Sequence, residues 1–547
     1  MKSGTVFFCL MLAAATAIAA PQVDTSDPVA GSQKVAVADT DAGKVQGFIH
    51  QGIYTYRGVP YAKAARFMPP EKPDHWDGMR TALTYGYICP EVQMPQLNDV
   101  AEFLIPHRIW VTSDNCQNLN IWTPGINDGK KRPVMVWFHG GGYTNGSSIE
   151  QLVYDGENLS RKGDVVVVTV NHRLNIMGFL DLSAYGPQYK YSGNVGIMDL
   201  VASLQWLKAN IANFGGDPDN VTIFGQSGGG GKVNTLMSAP AARGLFQKAI
   251  VESGAIRGTG MTLMDQKTSR HIAELTLQNL HLDASQIDEL QKLPYEQINE
   301  AGQKALQTAA QESGHKGLFG PGYSWSPIVD GDYIPTDPFS GGAPAQSKDI
   351  PLMIGTTLNE FPATRMNPKL HGADDWTYDQ LKSYFHDQYG DKADDVIAAY
   401  KKAYPGMKYS DWLHVDIMMR PGAIIEAELK ADQQGAPVYN YLFAWQSPVL
   451  DGMSRASHCA EIPFVFNNIL IGEQSTGGGK DAYALADKVS QAWINFARRG
   501  NPNNPGLPTW PALTRDSSAT MIFDNKSEIR INHDKELMKL LHPDMSF

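Results

Sequence analysis

A serine flanked by small residues is the first candidate for chemistry in this chain. Residues 225–229 (GQSGG) have the form G-x-S-x-G with Ser227 at the centre, a pattern that is weak by itself in a chain with 52 glycines. Its surroundings are more specific: a strand-like run, 221–224, leads into it, and 232–237 can continue as a helix. On such a strand–turn–helix elbow a serine hydroxyl is exposed, and the helix start places backbone N–H groups near developing negative charge. Ser227 is therefore a candidate nucleophile.

A phosphate-binding loop is the alternative reading of the same glycine run, because the run ends in Gly231-Lys232. That motif requires a glycine six residues before the lysine and a serine or threonine directly after it. Gln226 and Val233 occupy these two positions. The spacing therefore excludes the phosphate-binding loop.

A second glycine-rich element lies upstream. His139 and three successive glycines, Gly140–Gly142, follow the strand-like run 133–138 (PVMVWF). Ester hydrolysis passes through a tetrahedral oxyanion that needs N–H donors close by, and consecutive glycines allow the backbone to turn these groups inward. An HGGG element followed by a serine elbow, in this order, predicts an ester hydrolase. We interpret His139 itself as a structural loop histidine, because the backbone supplies the donors.

The acid and the base of a triad should follow the serine in this fold. Glu360 fits the acid, since it comes after the strand-like run 351–354 and a turn, whereas Asp330 is a rival that reads better as an Asp-Gly turn. His458 is the candidate base because it lies in a loop well past Glu360. Four other histidines in polar stretches stay open as alternatives: His315, His371, His386 and His414.

Strands that alternate with helices must position these residues. Apolar runs of strand length occur at 133–138, 164–170, 221–224, 248–252 and 351–354, and apolar residues at helical spacing occur over 194–212 and 482–498. This alternation predicts an α/β fold with a large, mostly parallel central sheet flanked by helices. The more polar helical stretches 265–310 and 375–435 are predicted to be insertions over the active-site gorge rather than separate domains.

Composition narrows the function classes. The 547-residue chain is 42% hydrophobic and 19% charged, with a net charge of −11 and no Lys/Arg-rich stripe. Such a chain can bury a large core, and nucleic acids and anionic membranes are not expected partners. The sequence leaves the oligomeric state open.

The N-terminus has the features of a secretory signal peptide. Lys2 is followed by a short apolar run and by Ala17-Ile18-Ala19, which predicts a signal peptide over 1–19, a loose leader over 20–40 and one domain over 41–547. The apolar run is too short to anchor the protein in a bilayer. Export permits a disulfide, for which Cys89 with Cys116 is the short-loop choice, and Cys459 is then a free, hidden thiol.

Several further segments resemble the type-B carboxylesterase and cholinesterase-like family. The resemblance extends over about residues 40 to 535, and it rests on these segments: 57–62 (RGVPYA), 114–120 (DNCQNLN), 170–174 (VNHRL), 214–218 (FGGDP), 329–331 (VDG) and 496–502 (FARRGNP). It implies the α/β-hydrolase fold and a serine carboxylic-ester hydrolase that needs no metal or organic cofactor. The implied substrate is a small-molecule ester.

The resemblance also implies roles for individual residues. Ser227 would be the nucleophile, Glu360 the acid and His458 the base. The implied supporting groups are the oxyanion donors Gly141, Gly142 and Gly228, the disulfide Cys89–Cys116, Ser253 behind the triad, and the buried ion pairs Arg66–Asp114 and Arg173–Asp199.

Three departures from the family pattern bear on the pocket and its specificity. Gln226 stands where a glutamate usually precedes the serine, Gly228 replaces the usual alanine, and Pro106 stands where choline-specific relatives carry their choline-binding tryptophan. Neutral esters are therefore the expected substrates, although Glu461, three residues after His458, could supply negative charge. Other possibilities are a lipase-like or choline-ester hydrolase, and a catalytically inactive adhesion or binding protein.

Overall fold

The computed structural model describes residues 28–92, 98–257, 262–317, 320–363 and 367–547. The predicted signal peptide, residues 1–19, lies outside these ranges. The strands are β1 Val37–Thr40, β2 Gly43–Gln46, β3 Phe48–His50, β4 Ile53–Pro60, β5 Met79–Thr81, β6 Asn118–Thr123, β7 Arg132–Phe138, β8 Val166–Val170, β9 Gly216–Gln226, β10 Lys248–Glu252, β11 Met264–Asp265, β12 Lys316–Gly317, β13 Gly320–Pro321, β14 Ile328–Val329, β15 Leu352–Thr357, β16 Val438–Phe443, β17 Thr520–Phe523 and β18 Glu528–Arg530.

The helices of the described residues flank these strands. They are α1 Asp99–Leu104, α2 Glu157–Gly163, α3 Asn175–Phe179, α4 Val195–Asn210, α5 Gly228–Ser238, α6 Gln266–Asn279, α7 Tyr295–Ser313, α8 Tyr378–Tyr389, α9 Ala393–Ala403, α10 Arg420–Ala431, α11 Ile462–Val465, α12 Glu473–Thr476, α13 Lys480–Arg499 and α14 Lys535–Leu541. In this part of the chain, no helix combines the length and the apolar character needed to cross a bilayer.

The central sheet has eleven strands in the order β18-β17-β16-β15-β10-β9-β7-β8-β6-β4-β3. The seven strands from β17 to β8 are parallel, and β18, β6, β4 and β3 add antiparallel edges. This confirms the α/β-hydrolase fold with a mostly parallel sheet. Because the sheet draws strands from residue 48 to residue 530, the described chain is built around one sheet.

Both faces of the sheet are buried, as the continuous apolar runs predict. In β7, Val134, Val136 and Phe138 belong to the apolar core on one face. The alternating residues Met135 and Trp137 belong to the core on the other face. Helices cover each face, so the sheet can hold loops at its carboxyl edge in fixed positions.

The predicted elements agree with the structure except at their boundaries and at the N-terminus. The strand predicted over 164–170 begins only at Val166, because Asp164, at φ 43°, ends helix α2 in the left-handed region. The predicted loose leader, 20–40, is wrong for its last part. Val37–Thr40 form β1 and Ala30 pairs with Ile49, because Ala36 and Ala38 are buried in the core.

The chemistry-bearing residues follow the carboxyl ends of neighbouring parallel strands. The HGGG element follows β7, Ser227 follows β9, Ser253 follows β10 and Glu360 follows β15. His458 lies in the longer loop after β16. Since the carboxyl ends of parallel strands meet at one edge, the sheet gathers these residues in one place.

Candidate active site

Ser227 sits on a strained elbow between β9 and α5. Its backbone has φ 57° and ψ −125°, a conformation that costs a non-glycine residue roughly 1–3 kcal/mol. The turn is fixed on both sides: Ser227 N donates to Glu252 O at 2.8 Å, and Gly231 N donates to Ser227 O at 3.1 Å. A Cβ at position 229 would lie 2.0 Å from Phe138 O, so the small residues are required by close packing.

The HGGG loop lies directly against this elbow. A Cβ built on Gly228 would lie 2.1 Å from Gly142 O, and one built on Gly140 would lie 3.5 Å from Ser227 Cβ. Gly141 and Gly142 have φ of 76° and 64°, which glycine adopts without strain. The three glycines that the resemblance implied as oxyanion donors are therefore brought beside Ser227.

Two of these candidate donors, the N–H groups of Gly142 and Gly228, belong to peptides whose planes are fixed by hydrogen bonds. Gly141 O accepts from the N–H groups of Thr144 and Asn145 at 3.2 and 3.0 Å. Ser227 O accepts from Gly231. In a trans peptide the C=O and the following N–H point in opposite directions, so these bonds orient the N–H groups of Gly142 and Gly228.

Glu360 and His458 form a hydrogen-bonded pair. Glu360 Oε2 binds His458 Nδ1, and the main chain adds a second link because His458 N donates to Glu360 O at 2.8 Å. The other carboxylate oxygen, Oε1, accepts from Ser253 Oγ at 2.5 Å and from Thr357 N at 2.8 Å. Glu360 is 1% exposed, so the imidazole is held by a buried, fully hydrogen-bonded carboxylate.

The structure brings His458 to the elbow without a hydrogen bond to Ser227 among the described residues. The amide Nε2 of Gln226 lies 3.3 Å from both His458 ring nitrogens, so it contacts the ring without a directed bond to either. Phe361 stacks on the imidazole, with ring centres 4.9 Å apart. Catalytic hydrogen bonds are often longer in a ligand-free enzyme than in the substrate complex.

Buried carboxyl groups surround the Glu360–His458 pair. Glu461 is fully buried, and burial, followed by the charges of Glu252 and Glu360, raises its pKa well above the usual value. Burial also raises the pKa of Glu252, whose Oε1 accepts from Trp493 Nε1 at 2.7 Å. Each of these shifts favours the neutral acid, so Glu461 is a poor source of negative charge beside His458.

Apart from His371, which is exposed, the rival candidates have other partners. Asp330 accepts from the backbone N–H groups of Asp332 and Ile334, as in an Asp-Gly turn. His414 contacts Asp374 at 2.7 Å, and His315 stacks on Tyr323. His386 lies 3.4 Å from Asp394, and His139 contacts the carbonyl of Gly140, as its structural interpretation predicts.

The cysteines and ion pairs follow the resemblance with two corrections. Cys89 and Cys116 form a disulfide, with Cα atoms 5.0 Å apart. Cys459 is free but only partly buried, and its Sγ lies 3.3 Å from Gln226 Oε1. Arg173–Asp199 is a buried bidentate ion pair, with bonds of 2.8 and 2.7 Å.

The second correction concerns Arg66 and Asp114, which the resemblance implied as a buried pair. Their bond is 2.6 Å long, but 39% of the Asp114 side chain is exposed. The Arg66 side chain is only 14% exposed, so the pair is shielded on the arginine side and open to solvent on the aspartate side.

Comparison with known proteins places this chain in a family. A model described as "Carboxylesterase family" matches residues 34–540, which is nearly the whole chain. The chain belongs to the carboxylesterase family. It is thus a carboxylic-ester hydrolase by family, and its α/β-hydrolase fold is the fold of its structural relatives.

Relatives of this carboxylesterase resemble it over almost their full length. Para-nitrobenzyl esterase of Bacillus subtilis (strain 168) is 34% identical, covering 92% of this chain and 97% of its own. Phenmedipham hydrolase of Pseudarthrobacter oxydans is 32% identical, over 90% and 95% of the two chains. A Clostridium hathewayi esterase, described as able to hydrolyze aliphatic aromatic polyesters, is 37% identical, with a TM-score of 0.86 over 95% and 100%.

Sequence reasoning missed three groups at the site. Phe361, which stacks on His458, directly follows Glu360, so its place in the chain was the only signal. Glu252 was visible before Ser253, but its burial with Trp493 depends on helix α13, which is distant in sequence. The glycine run indicates Lys232 only as a phosphate ligand, although it is wholly buried under the HGGG loop.

Proposed function

We propose that this carboxylesterase cleaves neutral carboxylic esters through an acyl-enzyme on Ser227. The observation that carries the proposal is the Glu360–His458 pair beside a serine at φ 57°. A buried acid, an oriented imidazole and an elbow serine are the parts of a serine-hydrolase triad.

The proposed steps are those of a serine-hydrolase triad. His458 takes the proton of the Ser227 hydroxyl as its oxygen attacks the ester carbonyl, and Glu360 stabilises the imidazolium through Nδ1. The N–H groups of Gly141, Gly142 and Gly228 stabilise the oxyanion. His458 then protonates the departing alkoxide, and a water molecule that His458 deprotonates hydrolyses the acyl-enzyme, which regenerates the serine.

Neutral esters are favoured because the site offers little negative charge to a cationic alcohol group. Gln226 is uncharged, and burial favours the neutral form of Glu461. Trp110, four residues after Pro106, offers no free ring in place of the choline-binding aromatic, because it packs edge-on against Tyr85, with ring centres 6.1 Å apart. The guanidinium groups of Arg57 and Arg108 already lie over Tyr85, and they would repel a second cation.

Aliphatic–aromatic esters form a second class to include in a substrate panel. The relative from Clostridium hathewayi, with its TM-score of 0.86, is described as acting on aliphatic aromatic polyesters. Soluble diesters of an aromatic diacid would test this class without the complication of a solid substrate.

Export is also part of the proposal. Residues 1–19 have the charge and apolar pattern of a signal peptide, and the disulfide suits an oxidising compartment. N-terminal sequencing of the protein from the extracytoplasmic fraction should give Ala20 as the first residue. An intact Met1 in protein confined to the cytoplasm would contradict export.

Covalent trapping tests the acyl-enzyme. A fluorophosphonate should phosphonylate Ser227, because its phosphorus is attacked by the serine oxygen and loses fluoride. Peptide mapping by mass spectrometry should place the added mass on the peptide containing Ser227, with matching loss of activity on a p-nitrophenyl ester. Inactivation with the label on any other residue would overturn the assignment, and so would full activity in a protein labelled at Ser227. The inactive adhesion-protein alternative predicts neither label nor turnover.

A further inference from the structure

Lys232 is a lysine buried without an ion-pair partner at hydrogen-bonding distance among the described residues. It lies on α5, five residues after the elbow serine, and its exposed fraction is 0%. Its ammonium nitrogen Nζ donates to His139 O at 2.8 Å and lies 3.5 Å from Gly140 O. Burial of a lysine requires a compensating interaction, and here that interaction is with the main chain of the HGGG loop.

The charged groups around Lys232 do not account for its position. Burial lowers its pKa to about 7, and the charge of Glu150 opposes that shift. The carboxylate of Glu150 is instead hydrogen-bonded by Tyr154 at 3.1 Å. The ammonium thus points at backbone carbonyls of the HGGG loop, and hydrogen bonds to these carbonyls fix its position.

The carbonyl of Gly140 matters because of what lies on the other side of the same peptide. C=O and N–H are opposed across a trans peptide, so a group that holds Gly140 O also sets the direction of the Gly141 N–H. For the other two expected oxyanion donors, Gly142 and Gly228, the carbonyl on the same peptide accepts from backbone N–H groups. For Gly141, the carbonyl on the same peptide is that of Gly140, and its hydrogen-bond donors are two side chains, His139 Nδ1 at 3.0 Å and Lys232 Nζ.

His139 completes this arrangement as a neutral ring. Because a carbonyl can only accept, the Nδ1 that contacts Gly140 O must carry the proton. Burial, followed by the charges of Lys232 and His172, lowers the pKa of His139 well below its usual value. Its ring stacks on His172, with centres 5.2 Å apart, which fixes the direction of its N–H.

We propose that Lys232 is a positioning residue that locks the His139–Gly141 peptides of the HGGG loop, and so directs the N–H of Gly141 at the oxyanion. The proposal rests on the proposed function, because it gives Lys232 a role in that same reaction. Without this lock, the glycine peptides can rotate, since neither Gly140 nor Gly141 carries a Cβ. A rotated peptide would present a carbonyl oxygen, rather than an N–H, to the developing negative charge.

Steady-state kinetics combined with an oxyanion-forming inhibitor test the proposal. A trifluoromethyl ketone matched to the acyl group bonds through its carbonyl carbon to Ser227 Oγ, the serine proton passes to His458, and the carbonyl oxygen becomes the oxyanion. Lys232→Met should lower kcat roughly 10- to 100-fold with KM changed less than about threefold, since loss of one oxyanion donor lowers kcat by about 10²–10³-fold. Affinity for the ketone should fall by the same factor as kcat, whereas affinity for the unfluorinated methyl ketone should not change.

Lys430→Met is the matched control. Lys430 is also fully buried, donates to a backbone carbonyl, that of Lys348, at 3.1 Å, and has a pKa lowered to about 8 by burial. Its replacement should leave kcat and ketone affinity unchanged. Lys232→Gln, which keeps an N–H donor without the charge, should recover part of the kcat lost in Lys232→Met.

The outcomes separate this inference from the proposed function. If Ser227→Ala is inactive but folded Lys232→Met keeps wild-type kcat and ketone affinity, Lys232 is only structural and the inference is wrong. If Ser227→Ala keeps its activity, the proposed function itself fails. Should neither Lys232 variant fold, wild-type protein labelled with ¹³C at lysine Cε provides the test: the resonance titrating near pH 7 should move when the ketone binds, and a stationary resonance contradicts the proposal.

Discussion

Ser253 donates a hydrogen bond of 2.5 Å to Oε1 of Glu360, the carboxylate that binds His458 through its other oxygen. Thr357 N adds a second donor to Oε1 at 2.8 Å. Hydrogen bonds to a buried carboxylate fix its orientation, and here they fix the orientation of the imidazole as well. Ser253 therefore acts on the proposed base through Glu360.

Removal of this hydroxyl should weaken catalysis without abolishing it. Ser253→Ala is expected to lower kcat/KM by about 10-fold, because a hydrogen bond to a charged group contributes roughly 1.5–3 kcal/mol and Thr357 still holds the carboxylate. Ser160→Ala is a matched control, since Ser160 is buried and donates to Val165 O at 2.9 Å. Equal kinetic loss in both variants would show a general destabilisation instead.

A negative charge at position 226 should change the pH profile. Gln226 Nε2 lies 3.3 Å from both nitrogens of His458, so Gln226→Glu places a carboxylate beside the imidazole and stabilises its protonated form. The acidic limb of the kcat/KM profile should therefore move to higher pH. The uncharged variant Gln226→Met should leave the limb in place. An unchanged limb in Gln226→Glu would mean that position 226 does not act on the base.

Choline esters should hold no advantage over neutral esters. The comparison is between a choline ester and its neutral carbon isostere with the same acyl group. We expect kcat/KM for the choline ester to be equal or lower, because Gln226 is neutral and burial raises the pKa of Glu461. A tenfold preference for the cation, equivalent to about 1.4 kcal/mol, would show that the site carries a negative charge that this account lacks.

Acid should remove the stabilising effect of one buried ion pair. Asp534 accepts from Arg420 Nε and Nη2 at 2.8 and 3.0 Å, and although burial opposes it, the charge of Arg420 lowers the pKa of Asp534 to about 2. An aspartate in the unfolded chain has a pKa of about 3.9. The ion pair therefore stabilises the folded protein above about pH 3.9, and this stabilisation is lost as pH falls through about 2.

Urea unfolding of wild type and Asp534→Asn at several pH values measures this contribution. Near pH 6 the variant should be less stable by roughly 3–5 kcal/mol, because Arg420 is left buried without its partner. The difference should shrink by roughly 2 kcal/mol between about pH 4 and pH 2. A difference that stays constant over this range would contradict the role of the pair.

Strands with an uninterrupted apolar run could be predicted from the sequence, whereas a strand whose run is broken by a buried asparagine could not. Strand β10, KAIVE, matches its predicted bounds. Strand β16, VYNYLF, was missed because Asn440 interrupts its apolar run. In the fold that asparagine is satisfied by Arg420 and by Ile354 O, partners that are distant in sequence.

The candidate site shows the same division. Ser227 and the HGGG loop carry local signals, because glycines and a strand boundary are visible in the sequence. The contact between Gln226 and His458 spans 232 positions, and that between Lys232 and His139 spans 93. Such contacts depend on how loops meet at the sheet edge, which no local pattern records.

The central claim is that the Ser227 hydroxyl is the nucleophile, and turnover of a p-nitrophenyl ester by purified Ser227→Ala protein tests it most directly. Folding is checked first by circular dichroism and by thermal unfolding beside the wild type. The account predicts that kcat falls by about 10⁴-fold or more, because an elbow serine has no substitute as nucleophile. A folded Ser227→Ala protein that retains kcat within tenfold of the wild type would contradict the account.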